Sequence, residues 1–179
     1  AKETTDVESI RKNYSVYLRE DGTVRRVIEK PLRVDNNLQG CGLYFFDAPV
    51  FEAIRRTPRT AMRDEYELTD SIQILIDYEY PVRVAPVVEW EINLTHIRDL
   101  IACCVHELRK SNADYLVGQG CRIAESTELV DTVVGDNVVI REPTRLTRCV
   151  VMPKVTLDGG DSFQDTVITR DAKLYAKYS

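Results

Sequence analysis

The chain has 179 residues, enough for one medium domain or two small ones. With 44% hydrophobic and 30% charged residues it has the make-up of a soluble globular protein, so disorder is not the default. A net charge of −5 with no Lys/Arg cluster argues against nucleic acid as the main partner, and no apolar run approaches the ~20 residues of a membrane span.

The opening stretch does not read as a signal peptide. Cys41, Cys103, Cys104, Cys121 and Cys149 are odd in number and contain no Cys-x-x-Cys pair. Reduced thiols and a cytoplasmic location are therefore expected. His96 and His106 lack ligand spacing, so no zinc site is expected.

In chain order, the first dozen residues are charged and predict a tail or a short helix. Tyr14 to Arg19 and Val24 to Glu29 flank Glu20-Asp21-Gly22, which predicts a β-hairpin turning at Asp-Gly. Pro31 ends that strand, and a polar loop runs to Gln39. Gly40 to Phe46 predicts a further strand. Asp47 is a candidate cap for a helix over Val50 to Arg55. Leu68, Ile72, Leu75 and Ile76 fall on one helical face, with Thr69 or Asp64 as its cap. Pro81 to Val88 reads as a Val-rich strand, and a helix follows from about His96 to Lys110. Alternating strands and helices predict an α/β domain over 1–110.

From Val117 the pattern changes. Val117, Ile123 and Leu129, then Val134, Ile140 and Leu146, then Val151, Leu157 and Phe163, then Ile168 and Leu174 recur with steps of six, six and five. The period is thus 17 residues. Two residues before each lies a second row, Cys121, Thr127, Thr132, Val138, Thr144, Cys149, Val155, Asp161, Thr166 and Ala172, small or β-branched except at Asp161. One coil cannot bury its own faces, so a fixed period predicts stacked coils over 115–179. A β-sandwich of short strands is the competing architecture. Gly118, Ala124, Gly135 and Asp158 follow their aliphatics, and this resembles the hexapeptide-repeat left-handed parallel β-helix family.

Three places carry candidate chemistry. Glu29-Lys30-Pro31 stands where a strand stops, the position at which open α/β sheets bind ligands. A carboxylate there can accept from sugar hydroxyls and an ammonium can hold a phosphate. Both could line one site only if Pro31 breaks the pleat; the plain alternative is a solvated charge pair. Arg63 precedes a helix start and suits an anion, or else pairs with Glu65 or Glu67. Trp90 to Thr95 forms a loop between strand and helix, where Asn93 and Thr95 are equally good helix caps. Gly40-Cys41-Gly42 is too short to cradle a nucleotide's phosphates.

In this order, Asp-Gly-x-Val-x-x-Val-Ile-Glu-Lys-Pro, Asn37 with Gly42-Leu43-Tyr44, Arg63-Asp64-Glu65-Tyr66-Glu67-Leu68-Thr69-Asp70, and Trp90 before a helix resemble the sugar-1-phosphate nucleotidylyltransferase family. The likeness spans Tyr14 to Leu108. It implies the C-terminal half of a nucleotidyltransferase Rossmann-like α/β domain, followed by an all-β left-handed parallel β-helix. It also implies that Glu29 holds sugar hydroxyls, Lys30 holds the sugar phosphate, Gly42 admits the sugar against backbone, Arg63 assists the phosphate, and Trp90 lines the site. The implied reaction is attack of a sugar 1-phosphate on a nucleoside triphosphate, with Mg²⁺ assisting and pyrophosphate leaving.

Two departures matter. The family's acidic metal ligand two residues after the Trp is Ile92 here, so the metal role moves to Asn93. The family's Gly-rich nucleotide-binding half has no counterpart, and the chain opens with Ala; the expectation is a portion of such an enzyme, inactive alone, with no catalytic residue of its own. A regulatory or scaffold protein with a degenerate sugar-phosphate pocket is the alternative. A hexapeptide acyltransferase is disfavoured because no histidine follows His106. The exposed edges of stacked coils predict homo-oligomers.

Overall fold

The computed structural model describes residues 1–61 and 64–177. They form two compact units, Ala1–Glu91 and Ile92–Ser179.

The first unit is built on the hairpin. Strand β1 is Lys2–Glu3, helix α1 Val7–Lys12, β2 Tyr14–Leu18, β3 Val24–Glu29 and β4 Leu38–Gly40. These strands make one antiparallel sheet in the order β1-β4-β2-β3. The turn is fixed locally: Gly22 takes φ +79°, and the Asp21 carboxylate accepts from the Thr23 amide at 2.9 Å. Those hydrogen bonds, with the Thr23 hydroxyl first, hold the exposed Asp21 carboxyl below its usual range. Helix α2 spans Pro49–Arg56 and α3 spans Leu68–Asp77. The hairpin's Val16, Val24 and Val27 pack against Ile72 and Ile76 of α3, and Leu75 of α3 meets Val50 and Ala53 of α2. Full burial of each such side chain is worth about 1.5–3 kcal/mol.

Several expectations are corrected here. The strand foreseen over Gly40 to Phe46 ends at Gly40 as β4. The one foreseen over Pro81 to Val88 is reduced to a single bridge between Thr23 and Arg83. Both sequences suit a strand, yet neither finds a neighbour to complete a ladder. Helix α2 is capped at Ala48 with Pro49 in its first turn, so Asp47 contributes only its backbone carbonyl, to Val50. Helix α3 is capped at Glu67, not Thr69 or Asp64; Thr69 lies inside the first turn and its hydroxyl is used elsewhere.

The second unit opens with α4, Ile97–Lys110, capped at His96. The Asp99 carboxylate accepts from the Thr95 and His96 amides at 3.0 and 2.7 Å, so Asn93 and Thr95 are not the cap. The sequence grouped this helix with the α/β part; its Ile101 and Val105 instead pack on Val150 and Val167 of the coils. Strands β5 Tyr115–Val117, β6 Arg122–Ile123, β7 Glu128–Val130, β8 Thr132–Val134, β9 Val139–Ile140, β10 Arg145–Val151, β11 Thr156–Leu157 and β12 Ser162–Ile168 follow. All of them pair in parallel with the strand one coil away.

The registers carry the repeat. Val117 faces Val134, Val134 faces Val151 and Val151 faces Ile168. Ile123, Ile140 and Leu157 form a second stack, and Leu129, Leu146 and Phe163 a third. Each partner lies 17 residues on. The small row points inward too: Thr132, Val138, Thr144, Cys149, Val155 and Thr166 are buried. Its hydroxyls and thiols donate to carbonyls of the next coil, Cys121 to Gly135, Thr132 to Leu146 and Cys149 to Phe163. The corners repeat as well. Gly120, Asn137 and Lys154 have φ +69°, +56° and +64°, and Asp131, Arg148 and Asp165 have +48°, +49° and +50°.

The repeat stops earlier than its apolar pattern. Strand β13, Lys173–Tyr175, pairs antiparallel with β12 after a turn closed by Thr169 and Ala172. Leu174 is therefore exposed instead of continuing the stack of Ile123, Ile140 and Leu157 inward.

Candidate functional site

The site is built at the open end of the hairpin, away from the Asp21-Gly22 turn. Glu29 is the last residue of β3, half-buried, and lies directly across from Tyr14 at the start of β2. Tyr14 in turn faces Gly40 of β4. A Cβ on Gly40 would fall 1.8 Å from the Tyr14 ring, so only glycine lets that ring lie flat there. The Tyr14 hydroxyl donates to the Cys41 carbonyl at 3.4 Å. Tyr14 stacks on Tyr44 with centroids 6.4 Å apart, and Tyr44 on Phe46 at 5.6 Å. Burial, reinforced by Tyr44 and more weakly by Cys41 and Glu29, pushes the Tyr14 phenol far above its ordinary range. Burial is also the main cause that lifts the Tyr44 phenol.

Lys30 leaves the strand through a left-handed backbone, φ +42°, and its amide donates to the Asn13 carbonyl at 2.7 Å. The pleat is thus broken at Lys30 itself, by a conformation other than the extended one that a following proline favours. For a residue with a Cβ this costs about 1–3 kcal/mol, and such outliers cluster at ligand sites. The Thr69 hydroxyl of α3 donates to Glu29 Oε2 at 3.1 Å.

Asn13 connects the two sides of the site. Besides binding the Lys30 amide, its side chain donates to Glu91 Oε1 at 3.4 Å, and Gln39 Nε2 donates to the same oxygen. Trp90, next to Glu91, is 39% exposed. The Cys41 thiol is pushed up to about 11 by burial, then by the Glu91 carboxylate.

Gly42 lies in the irregular stretch after β4, with nothing within 4 Å of where a Cβ would stand. It is open backbone, whereas Gly40 is the glycine that packing demands. Arg63 lies outside the described residues. Asn93 belongs to the second unit, where it is exposed and its carbonyl accepts from Thr95. Among the described residues no three His, Cys, Asp or Glu side chains gather as a metal site. One amide oxygen does not fit Mg²⁺, which seeks carboxylates and water in octahedral geometry.

A cleft of about 320 Å³ in this unit shares the aromatic stack of the site: Tyr14, Tyr44 and Phe46 line it together with Val24, Val27, Ile72 and Val82. Neither Glu29 nor Lys30 is among its walls, and Arg83 is its one charged side chain. Its walls also include the exposed Phe45 and Val87, so it is an open apolar cleft and not the polar site itself.

A family model described as nucleotidyl transferase matches residues 6–91, ending where the first unit ends. Residues 6–91 thus resemble the nucleotidyl transferase family, and the names of the relatives below support its sugar-1-phosphate members. A glucose-1-phosphate thymidylyltransferase of Streptomyces antibioticus is 28% identical over 84% of this chain and 40% of its own length. A match that long includes part of the coils. The low-salt glycan biosynthesis nucleotidyltransferase Agl11 of Haloferax volcanii is 37% identical over 40% of this chain and 20% of its own length. The bifunctional protein GlmU of Methanocaldococcus jannaschii is 39% identical over 36% of this chain and 15% of its own length. The chain thus spans less than half the length of these relatives.

Sequence reading missed Tyr14, Gly40, Glu91 and Thr69. Tyr14 was findable: a hairpin turning at Asp21-Gly22 sets Tyr14 opposite Glu29 by simple register.

Proposed function

We propose that this chain carries the sugar-1-phosphate half-site of an enzyme that makes a nucleoside-diphosphate sugar and pyrophosphate. The observation that carries the reading is Glu29 at a strand end, held by Thr69 and followed by a left-handed Lys30. In that arrangement the Glu29 carboxylate accepts from sugar hydroxyls and the Lys30 ammonium neutralises the sugar phosphate. Gly42 lets the sugar approach backbone and Trp90 lines the site; by the family resemblance alone, Arg63 assists the phosphate. The sugar phosphate oxygen would attack the α-phosphorus of a nucleoside triphosphate held by residues outside this chain, so the chain alone is inactive.

The names of the relatives point to a hexose 1-phosphate as substrate class. Mg²⁺ belongs to the complete enzyme; Asn93 is at most one oxygen donor to it, and no step here is routed through the metal. The coils are read as a left-handed β-helix of hexapeptide type, serving assembly into homo-oligomers. Five free thiols agree with a cytoplasmic location, and no helix among the described residues is long and apolar enough to cross a membrane. A scaffold with a degenerate pocket is the second reading, favoured by Ile92 in the place of a metal carboxylate.

The test is calorimetric titration of the folded chain with a panel of hexose 1-phosphates. Saturable binding of one member, lost in Lys30→Ala, supports the half-site. No binding by any member to a chain folded by circular dichroism supports the scaffold.

A further inference from the structure

The sheet order makes β3 an edge strand, whose outer side is met only at its start, where the Val24 amide donates to the Val82 carbonyl at 2.8 Å. Further along, helix α3 takes the place of a strand. Gln73 Oε1 accepts from the Val27 amide at 3.0 Å, and one turn earlier the Thr69 hydroxyl donates to Glu29 Oε2 at 3.1 Å. The spacings match. Four residues of helix rise about 6 Å and two residues of strand about 6.6 Å, so positions 69 and 73 meet 29 and 27 without strain. The Gln73 amide is itself oriented, because its Nε2 donates to Asp77 Oδ1 at 2.8 Å. Thr69 is 4% exposed, so its hydroxyl has no bulk water to turn to.

We propose that Thr69 and Gln73 form a polar clamp that fixes the position of the Glu29 carboxylate. Thr69 is thus a positioning residue, acting through Glu29, and Gln73 holds the strand that presents it. The ligand that Glu29 serves rests on the sugar-phosphate reading above; the clamp itself does not.

The experiment uses the full chain. The carboxyl carbon of Glu29, assigned by its loss in Glu29→Gln, is followed at one fixed pH by carbon-detected NMR in the parent, Thr69→Val, Thr69→Ser and Gln73→Ala. A donated hydroxyl holds the carboxylate in one place, so Thr69→Val moves and broadens the Glu29 carboxyl signal. Thr69→Ser restores it. Gln73→Ala speeds exchange of the Val27 amide proton about tenfold or more, since a bonded edge amide becomes open. Hexose 1-phosphate binding weakens about tenfold in Thr69→Val and stays within about twofold in Thr69→Ser. Should Thr69→Val fail to fold, Thr69→Ala makes the same comparison.

An unchanged carboxyl signal in a folded hydroxyl-less variant overturns the clamp, whatever binds. A moved signal, rescued by serine, upholds the clamp even if no hexose 1-phosphate binds the parent; that result removes the sugar reading alone.

Discussion

The two units answer to different kinds of information. In the coils, each residue's partner is the residue 17 positions along, so the pattern that buries a side chain also names its neighbour. In the first unit, a strand's neighbour can lie anywhere in a chain. The hairpin, whose partner is local, forms as its sequence demands, while Leu43 to Phe46 and Val84 to Val88 have strand sequences and no ladder. Burial follows the same division. Leu146, Val134 and Ile168 are at most 1% exposed, but Phe45 is 92% exposed and Val87 67%. A repeat specifies itself, and a sheet does not.

The largest effect that would break this comparison is expected in the coils. Leu146 sits between Leu129 and Phe163 and is fully buried, so Leu146→Ala should cost about 2–5 kcal/mol. Urea unfolding read by amide exchange within the coils checks it. A loss under about 1 kcal/mol would mean the stack is loosely packed and the register argument is weak.

Next comes Gly40. An added methyl would meet the Tyr14 ring, so Gly40→Ala should cost about 1–3 kcal/mol in exchange of the β2 and β4 amides. Gly42→Ala, in open space, should stay within about 0.5 kcal/mol and lose only ligand binding. Equal losses at the two glycines would remove the distinction drawn between them.

The pH response sharpens the contrast further. Tyr14 and Tyr44 are raised chiefly by burial, as is Cys41 at about 11. A raised folded pKa means stability that is whole below the unfolded value and lost as pH rises toward the folded one. The first unit should therefore weaken first above pH 9, the ordinary thiol value, through Cys41, and further above pH 10, the ordinary phenol value, through the tyrosines. Among the coil residues the raised group is Cys149, again through burial. Tyr14→Phe should flatten the alkaline loss in the hairpin amides; a loss unchanged by that variant would assign it elsewhere.

How much was legible follows from the same physics. The hairpin, its Asp-Gly turn, both long helix faces and the coil period could be read because each depends on neighbours at fixed spacing. Caps were read poorly. Asp47 looked like a cap by type, but Pro49 moved the helix start one residue on, and Thr69 was drawn to Glu29 across 40 residues of sequence. The helix His96 to Lys110 was found but not its partner, since an apolar stripe does not say what covers it. Leu174 kept the apolar rhythm, yet the chain reverses through Thr169 to Ala172; periodicity alone cannot register a turn that ends it.

The smallest effect tests whether the left-handed backbone at Lys30 serves the site. Lys154 holds φ +64° at a coil corner, and nothing ties its side chain to a ligand. Lys154→Gly should relieve the strained backbone and gain about 1 kcal/mol over Lys154→Ala. Lys30, at φ +42°, should show the same gain for Gly over Ala. The two positions then part: Lys154→Gly leaves sugar-phosphate binding alone, and Lys30→Gly abolishes it. Lys154 shows that a left-handed lysine alone is no sign of a ligand, so binding by Lys30→Gly is what tells whether the Lys30 ammonium is needed. If Lys30→Gly gains stability and keeps full binding, the strain at that strand end has no ligand to account for it, and the half-site loses its phosphate anchor.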